Sequence, residues 1–402
     1  MYGYVKVGSA VPKLRVADCV YNKEEILKLV EAAAAKQVRV LSFPELSVTG
    51  YTCADLFFQT PLLHAAEQAI QEIAEATKAL NIFLLIGAPI AVDNQMFNCA
   101  VALYRGKLLG IVPKTHIPNY SEFYEERWFA SADDLLTEEI TYAGQNVPIG
   151  ADLIFAAADF PALKIGVEIC EDLWVPIPPS SYLSLYGATL LLNLSASNEL
   201  ASKPGYRRQL VSQQSARCLS AYVYTSAGTG ESTQDAVFSG HSMIYENGTL
   251  FAETESFSRE SQFVYADIDV EMLMSERRKH TTFMSHLQKG RGTEILSSDF
   301  LRYGRGHHTG QLEQTPVQCP LYPNHKAGCT LQKYFRHPDN RSCKTHGAYP
   351  CRFSGDWHFR RSGFHAGTAG LCKMHVIISA STAPHVIGVT MPGFGTTDRT
   401  YQ

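Results

Sequence analysis

Apolar residues fall at alternate positions in "YVKVGSAVP", so the chain opens on an expected β-strand. The period then lengthens. "NKEEILKLVEAAAAK" carries its apolar residues at helical spacing, and Asn22 with Glu25 three places on predicts a capping-box start for an amphipathic helix. "VRVLSF" is a short β-rich run that stops at Pro44-Glu45, "LLHAAEQAIQEIAEATKAL" is helical, and "IFLLIGAPI" is a strand of the kind buried on both faces. "MFNCAVALYRGKLLGIVPK" predicts a hairpin turning at Arg105-Gly106. The order repeats with strand "LKIGVEI", a helix near Pro179–Tyr186, strand "TLLLNLSAS", helix "PGYRRQLVSQQSARCLS" and strand "AYVYTSAG". "HSMIYENGTLFAETE" adds a hairpin whose turn is Asn247-Gly248. Beyond about Phe283 no period is sustained.

Alternating strands and helices with antiparallel hairpins among them predict a layered α/β domain over residues 1–283. Composition marks the boundary more sharply than the periodicity does. Ten of the 14 histidines and five of the 10 cysteines fall between His286 and His385, in Gly- and Arg-rich text. An irregular, poorly ordered segment is expected there, from 284 to 385. The whole chain of 402 residues is 45% apolar and 18% charged with a net charge of −4, which gives no electrostatic footprint for nucleic acid or a membrane surface. No apolar run approaches the ~20 residues that a bilayer requires, and "MYGYVKVGSAVP" does not read as a signal peptide. Without C-x-x-C pairs or a secreted disulfide spacing, a reducing, cytoplasmic setting is expected.

Candidate chemistry lies where strands give out. Glu45, Lys114 and Cys170 end "VLSFPEL", "LLGIVPK" and "KIGVEIC", and strand ends of layered α/β folds converge on sites. A thiol attacks as thiolate, so Cys170 needs a base, a role open to Glu45. Glu171 and Asp172 beside it would hold its pKa up through like charge. A cation is therefore needed, and Lys114 can favour the thiolate and stabilise an oxyanion. No histidine pairs with a cysteine in this region, and His116 reads as structural.

Taken with their surroundings, "FPELSVTGY", "VPKTHIPNYSEFYEERWF" and "GVEICEDLW" resemble the three signatures of the carbon–nitrogen hydrolase (nitrilase) superfamily. The resemblance implies a four-layer α-β-β-α sandwich with a Glu–Lys–Cys triad. "PNYSEFYEERWF", "CEDLW" and "NLSASNE" are similar to the glutaminase domains of glutamine-dependent NAD⁺ synthetases within it. That likeness implies glutamine as the small-molecule substrate and hydrolysis of its amide through a Cys170 thioester. Glu45 would then be the base, and Lys114 with the Glu171 amide would hold the oxyanion. Tyr51, Tyr120, Glu171, Ser197 and Lys203 would line the glutamine pocket. It implies no cofactor for the glutaminase, and a homo-oligomer paired through the sandwich helices. A free-standing amidase of another small carboxamide, and a catalytically silent fragment, are the alternatives.

Synthetases of that kind continue into a domain that takes ATP and Mg through an S-G-G-x-D-S loop, a string absent from this chain. Yet "VIGVTMPGFGTTDRTYQ", within 386–402, resembles that domain's second strand and following loop. "WHFRRSGFHAGTAGLC" can moreover be encoded so that the frame one base later reads G-I-S-G-G-L-D-S-T-L-A-L-L-V-C. A frameshift near 284, compensated near 385, is the expectation, with ATP-dependent ligase activity absent. Cys319, Cys329, Cys343 and Cys351 lack the tight pairs of a zinc site, so no metal is expected.

Overall fold

The computed structural model describes residues 3–158 and 160–285, and the backbone of Ser297–Leu301, His375–Ile378 and Ile387–Thr390. In chain order the first half contains β1 (Tyr4–Val11), α1 (Cys19–Ala35), β2 (Val40–Ser42), α2 (Thr60–Thr77), β3 (Phe83–Val92), β4 (Gln95–Tyr104) and β5 (Lys107–Pro113). Two small hairpins follow, β6 (Asn119–Tyr120) with β7 (Phe123–Tyr124), and β8 (Glu139–Tyr142) with β9 (Gln145–Pro148). The second half contains β10 (Ile154–Ala157), β11 (Lys164–Ile169), α3 (Pro179–Leu185), β12 (Leu190–Ser195), α4 (Lys203–Arg217), β13 (Ala221–Ser226), β14 (Met243–Glu246), β15 (Thr249–Glu253) and β16 (Gln262–Asp269). It continues with α5 (Val270–Lys279), α6 (Thr281–Ser285), β17 (Ser297–Leu301), β18 (His375–Ile378) and β19 (Ile387–Thr390).

Two sheets form, ordered β16-β1-β2-β3-β4-β5 and β15-β14-β13-β12-β11-β10-β17. Strand β17 pairs parallel with β10, beyond the boundary at 283 read from the sequence, and the compact unit runs Met1–Gln314. Within the unit Thr315–Gln402 the described backbone is the antiparallel pair β18–β19, with Ile387 opposite Ile378. The candidate zinc cysteines and the re-framed string lie outside the described residues.

Three buried clusters fill the three gaps of a four-layer stack. Ile26 and Val30 of α1 and Ile70 and Ile73 of α2 meet Leu84 and Ile86 of β3. Phe83 and Leu85, the alternate residues of β3, turn the other way and meet Phe155, Val167 and Leu192 of the second sheet. Leu191 of β12 points outward to Leu183 of α3 and Val211 of α4. Strands buried on both faces explain why "IFLLIGAPI" and "TLLLNLS" read as continuous apolar runs rather than alternations. Each such Leu, Ile or Phe removed from water contributes about 1.5–3 kcal/mol. Between the sheets Phe83 and Phe155 meet with ring centroids 5.6 Å apart, and Ser9 of β1 meets Thr225 of β13 at 2.7 Å between hydroxyls.

The start of α1 differs from the reading above. Asp18 is the cap, its Oδ1 accepting from the Tyr21 amide at 3.0 Å. Asn22 lies inside the helix, where its buried amide donates to the Arg15 and Val48 carbonyls, both at 2.9 Å. Those loop carbonyls would otherwise be orphaned in the core, so they outcompete a cap. The hairpin turns at Arg105-Gly106 and Asn247-Gly248 form as expected, each with both residues at positive φ. Helix α5 is tied down by buried Arg277, which donates to the Ala188, Cys218 and Leu219 carbonyls at 2.6, 2.9 and 3.0 Å.

Buried Glu246, at the end of β14, accepts from the Asp269 amide at 2.6 Å, yet burial pushes its carboxyl up to about 7. A folded-state pKa above the unfolded one means that the protonated form favours folding. Stability should therefore fall as pH rises from about 4 through about 7 and then level off. Glu246→Gln is expected to remove that slope and to be the more stable protein at pH 8, by about 2–3 kcal/mol at most. Thermal melts of both proteins from pH 5 to 8 measure it; parallel curves would contradict it.

Candidate active site

Glu45, Lys114 and Cys170 all follow the last residues of strands, β2 and β5 in one sheet and β11 in the other. All three are buried, Lys114 completely. The Glu45 loop needs Gly87 on the neighbouring β3. A Cβ there would stand 2.2 Å from the Leu46 amide nitrogen and 2.6 Å from the Pro44 carbonyl oxygen. The loop also reaches the second sheet, the Glu45 amide donating to the Ser195 carbonyl at 3.4 Å. Gly87→Ala must therefore push Glu45 out of line, and a shift of about 1 Å predicts a loss of about 10²-fold in any turnover that uses Glu45. Unchanged turnover in the folded variant would contradict this placement.

Lys114 donates to Glu45 Oε1 at 2.7 Å and to both oxygens of Glu125, at 2.9 and 2.8 Å. Glu45 Oε1 also accepts from Asn98 Nδ2 at 2.6 Å, whereas Glu45 Oε2 is buried with no partner among the described residues. One carboxylate oxygen is thus held and the other is free to take a proton. Burial alone would lower the Lys114 pKa, but Glu125 and Glu45 raise it well above the ordinary lysine value, so it stays an ammonium. Burial raises the Glu125 carboxyl, with Lys114 opposing and Glu45 assisting.

Glu125 was not among the residues picked out from the sequence. It opens a turn of 3₁₀-helix, Glu125–Arg127, directly after the two-residue strand β7, in a string whose polar residues read as solvent-facing. The available signal was its place in "PNYSEFYEERWF". Tyr51, expected in the pocket, donates its hydroxyl to Glu125 Oε1 at 2.7 Å and so stands under the triad. Buried Glu231 fixes the tyrosine in turn, accepting from the Tyr51 and Thr52 amides at 2.8 and 3.0 Å.

Cys170 begins the turn Cys170–Leu173 with φ +47°, a left-handed conformation that is uncommon for a side-chain-bearing residue. Strain of this kind aims a nucleophile outward from a strand end. Its amide donates to Asn193 Oδ1 at 3.3 Å. Burial pushes the thiol up, Glu45 and Glu125 add to that, and Lys114 and the Ala196 amide pull it down. The carboxylates that matter are therefore those across the site. The sequence neighbours point elsewhere: Asp172 accepts from the Ile169 and His116 amides at 2.9 and 2.8 Å, and Glu171 accepts from the Tyr120 hydroxyl at 2.9 Å. Burial pushes Asp172 up to about 7 all the same. His116 thus serves through its backbone, tying the Lys114 loop to the cysteine turn.

Of the remaining pocket candidates, Tyr120 is exposed and pairs with Glu171 at the mouth. Ser197 is buried and its Oγ accepts from Arg207 Nη2 at 3.2 Å, so it belongs to the wall and not to a free surface. Lys203 donates to Asn198 Oδ1 and lies 5.0 Å from the centre of the Trp174 ring, with its pKa lowered by burial. A groove of about 1020 Å³ meets the site at His116, Tyr120 and Glu171, but Glu45, Lys114 and Cys170 do not line it. The chemistry sits deeper, where water is excluded and charges act strongly. Among the described residues no group of three or more His, Cys, Asp or Glu is placed to hold a metal, and no helix is long and apolar enough to cross a membrane.

A buried carboxylate, ammonium and thiol at three strand ends of an α-β-β-α sandwich define a carbon–nitrogen hydrolase, and the chain belongs to that family, whose profile matches residues 7–278. The curated relative from Mycobacterium leprae (strain TN), a glutamine-dependent NAD(+) synthetase, is 41% identical over 289 residues, 72% of this chain and 42% of its own. The human glutamine-dependent NAD(+) synthetase is 28% identical over 284 residues, 66% of this chain and 40% of its own. Among solved structures, the glutamine-dependent NAD(+) synthetase of Cytophaga hutchinsonii superposes with a TM-score of 0.59 at 29% identity, over 66% of this chain and 43% of that one. An amidase of Nesterenkonia AN1 from the nitrilase superfamily shares the fold, with a TM-score of 0.53 at 17% identity, covering 70% of this chain and 97% of the other. The chain spans about two fifths of the length of the synthetases it matches.

Proposed function

We propose that residues 1–283 hydrolyse the side-chain amide of glutamine and release ammonia. The observation that carries the reading is Lys114, buried and bonded to both Glu45 and Glu125 beside a thiol whose carboxylate partner keeps one oxygen free. Glu45 Oε2 takes the Cys170 proton as the sulfur attacks the amide carbon. Lys114 and the Glu171 main-chain amide hold the developing oxyanion. Glu45 returns the proton to the departing nitrogen, the C–N bond breaks, and ammonia leaves a γ-glutamyl thioester. A water molecule, deprotonated by Glu45, then attacks the thioester, and glutamate and the free thiol result.

Polar groups for an α-amino acid favour glutamine over a simple amide. Tyr120 and Glu171 stand at the mouth, and Lys203 supplies a cation nearby. Ammonia so released would serve NAD⁺ synthesis from deamido-NAD⁺. We assign no ATP-dependent ligase step to residues 284–402, because the S-G-G-x-D-S loop is missing from them. The test offers glutamine, asparagine and propionamide to the purified chain and measures ammonia. It then repeats the glutamine reaction with ATP, Mg and deamido-NAD⁺. Glutamine should be hydrolysed at least about tenfold faster than the others, with no NAD⁺ formed. Preferential turnover of propionamide would overturn the glutamine assignment, and NAD⁺ formation would overturn the second statement.

A further inference from the structure

We infer that His241, acting through Arg207, positions the wall formed by Ala196–Glu199 and Lys203, a role that rests on the glutaminase reading above. Arg207 lies in α4, one turn after Lys203, and is completely buried. Its Nη2 donates to Ser197 Oγ at 3.2 Å and to the Asn198 carbonyl at 3.1 Å, and its Nη1 to Glu199 Oε2 at 3.2 Å. The planar fork therefore grips three successive residues of the loop between β12 and α4, a geometry that a lysine could not reproduce.

That loop touches the chemistry at two points. The Ala196 amide lies close enough to Cys170 to pull its thiol down, and Asn198 Oδ1 accepts from Lys203 Nζ. Moving the guanidinium moves the groups on either side of the bound substrate. The arginine is not explained by stability, since a buried ion pair is on average no better than apolar packing of the same volume. Its Nε is buried with no partner among the described residues, as is Glu199 Oε1. What the arrangement achieves is a fixed loop.

His241 fixes the arginine. Arg207 Nη1 lies 2.7 Å from His241 Nδ1, and a guanidinium only donates, so Nδ1 accepts. The ring proton then sits on Nε2 and is donated to Glu253 Oε1, which also accepts from Arg208 Nε at 2.6 Å. The ring is held neutral in one tautomer, from β15 at the surface to the buried fork. A neutral ring is the only form that can accept from Arg207.

Asparagine places a carbonyl oxygen where Nδ1 stands, and phenylalanine keeps the ring without the acceptor. Ammonia release from glutamine by wild type, His241→Phe and His241→Asn separates KM from kcat. His241→Phe is expected to raise KM about tenfold with kcat within about threefold, and His241→Asn to restore KM to within about threefold of wild type. If the phenylalanine variant does not fold, His241→Ala in the same assay takes its place. An unchanged KM in the folded variant, or asparagine performing no better than phenylalanine, overturns the inference alone. A wild-type chain that releases no ammonia from glutamine overturns the glutaminase reading and this inference with it.

Discussion

Replacing Cys170 by alanine is expected to reduce ammonia release from glutamine by about 10⁴-fold or more, because the proposed thioester forms on its sulfur. The four other described cysteines, Cys19, Cys53, Cys99 and Cys218, are buried away from the triad and cannot substitute. Fold and substrate binding should survive. Cys170 takes its place in the turn by backbone bonds, its amide to Asn193, and not by bonds from its sulfur that the fold depends on. Alanine meets the φ of +47° with the same Cβ that cysteine already carries there, so the backbone alone is expected to cost the variant little stability. Isothermal titration with glutamine should give a dissociation constant close to the wild-type KM. Residual turnover within about 10²-fold of wild type would mean that water attacks the amide directly and that no thioester forms.

Lys114→Met should produce the second large effect, on activity and stability together. The ammonium is bonded to both Glu45 and Glu125, each buried, and its removal leaves two carboxylates facing one another without a counter-charge. Breaking a buried pair in this way costs about 3–5 kcal/mol. Loss of the oxyanion donor should lower turnover by about 10³-fold in addition. The stability loss carries a pH signature. Without lysine the carboxylate pair is driven to hold a proton, so its folded-state pKa rises above the unfolded value. The variant should lose little in acid and progressively more as pH rises through that raised value. Adding Glu125→Gln should recover much of the stability and none of the turnover. Chemical denaturation at pH 5 and pH 8 distinguishes the cases, and a pH-independent loss would remove the charge explanation.

Much of this molecule was legible in its residues. The runs "IFLLIGAPI" and "TLLLNLS" marked strands covered on both faces, and the turns at Arg105-Gly106 and Asn247-Gly248 carried their own chemistry. Glu45, Lys114 and Cys170 were recognisable because each ended a strand. What escaped was whatever the stacking of the sheets decides. Glu125 looks solvated until the Lys114 loop folds over it, and Arg207 sits in a helix of low hydropathy whose polar residues read as surface. The direction of Asp172 and Glu171 was also invisible, because local backbone and Tyr120 claim them. Adjacency in sequence had suggested that those two would press on the thiol, whereas Glu45 and Glu125, distant in sequence, do so.

Glu45 and Lys114 hang from one sheet and Cys170 from the other, with Phe83 against Phe155 as part of the filling between them. The reacting atoms therefore work as the jaws of a caliper whose opening is set by the thickness of the apolar layer. A cavity or an extra methylene in that layer, well away from any substrate, changes how far base and thiol stand apart. Mutations there should register in turnover before they register in melting temperature, so the rate of the proposed reaction should gauge how well the two sheets are packed.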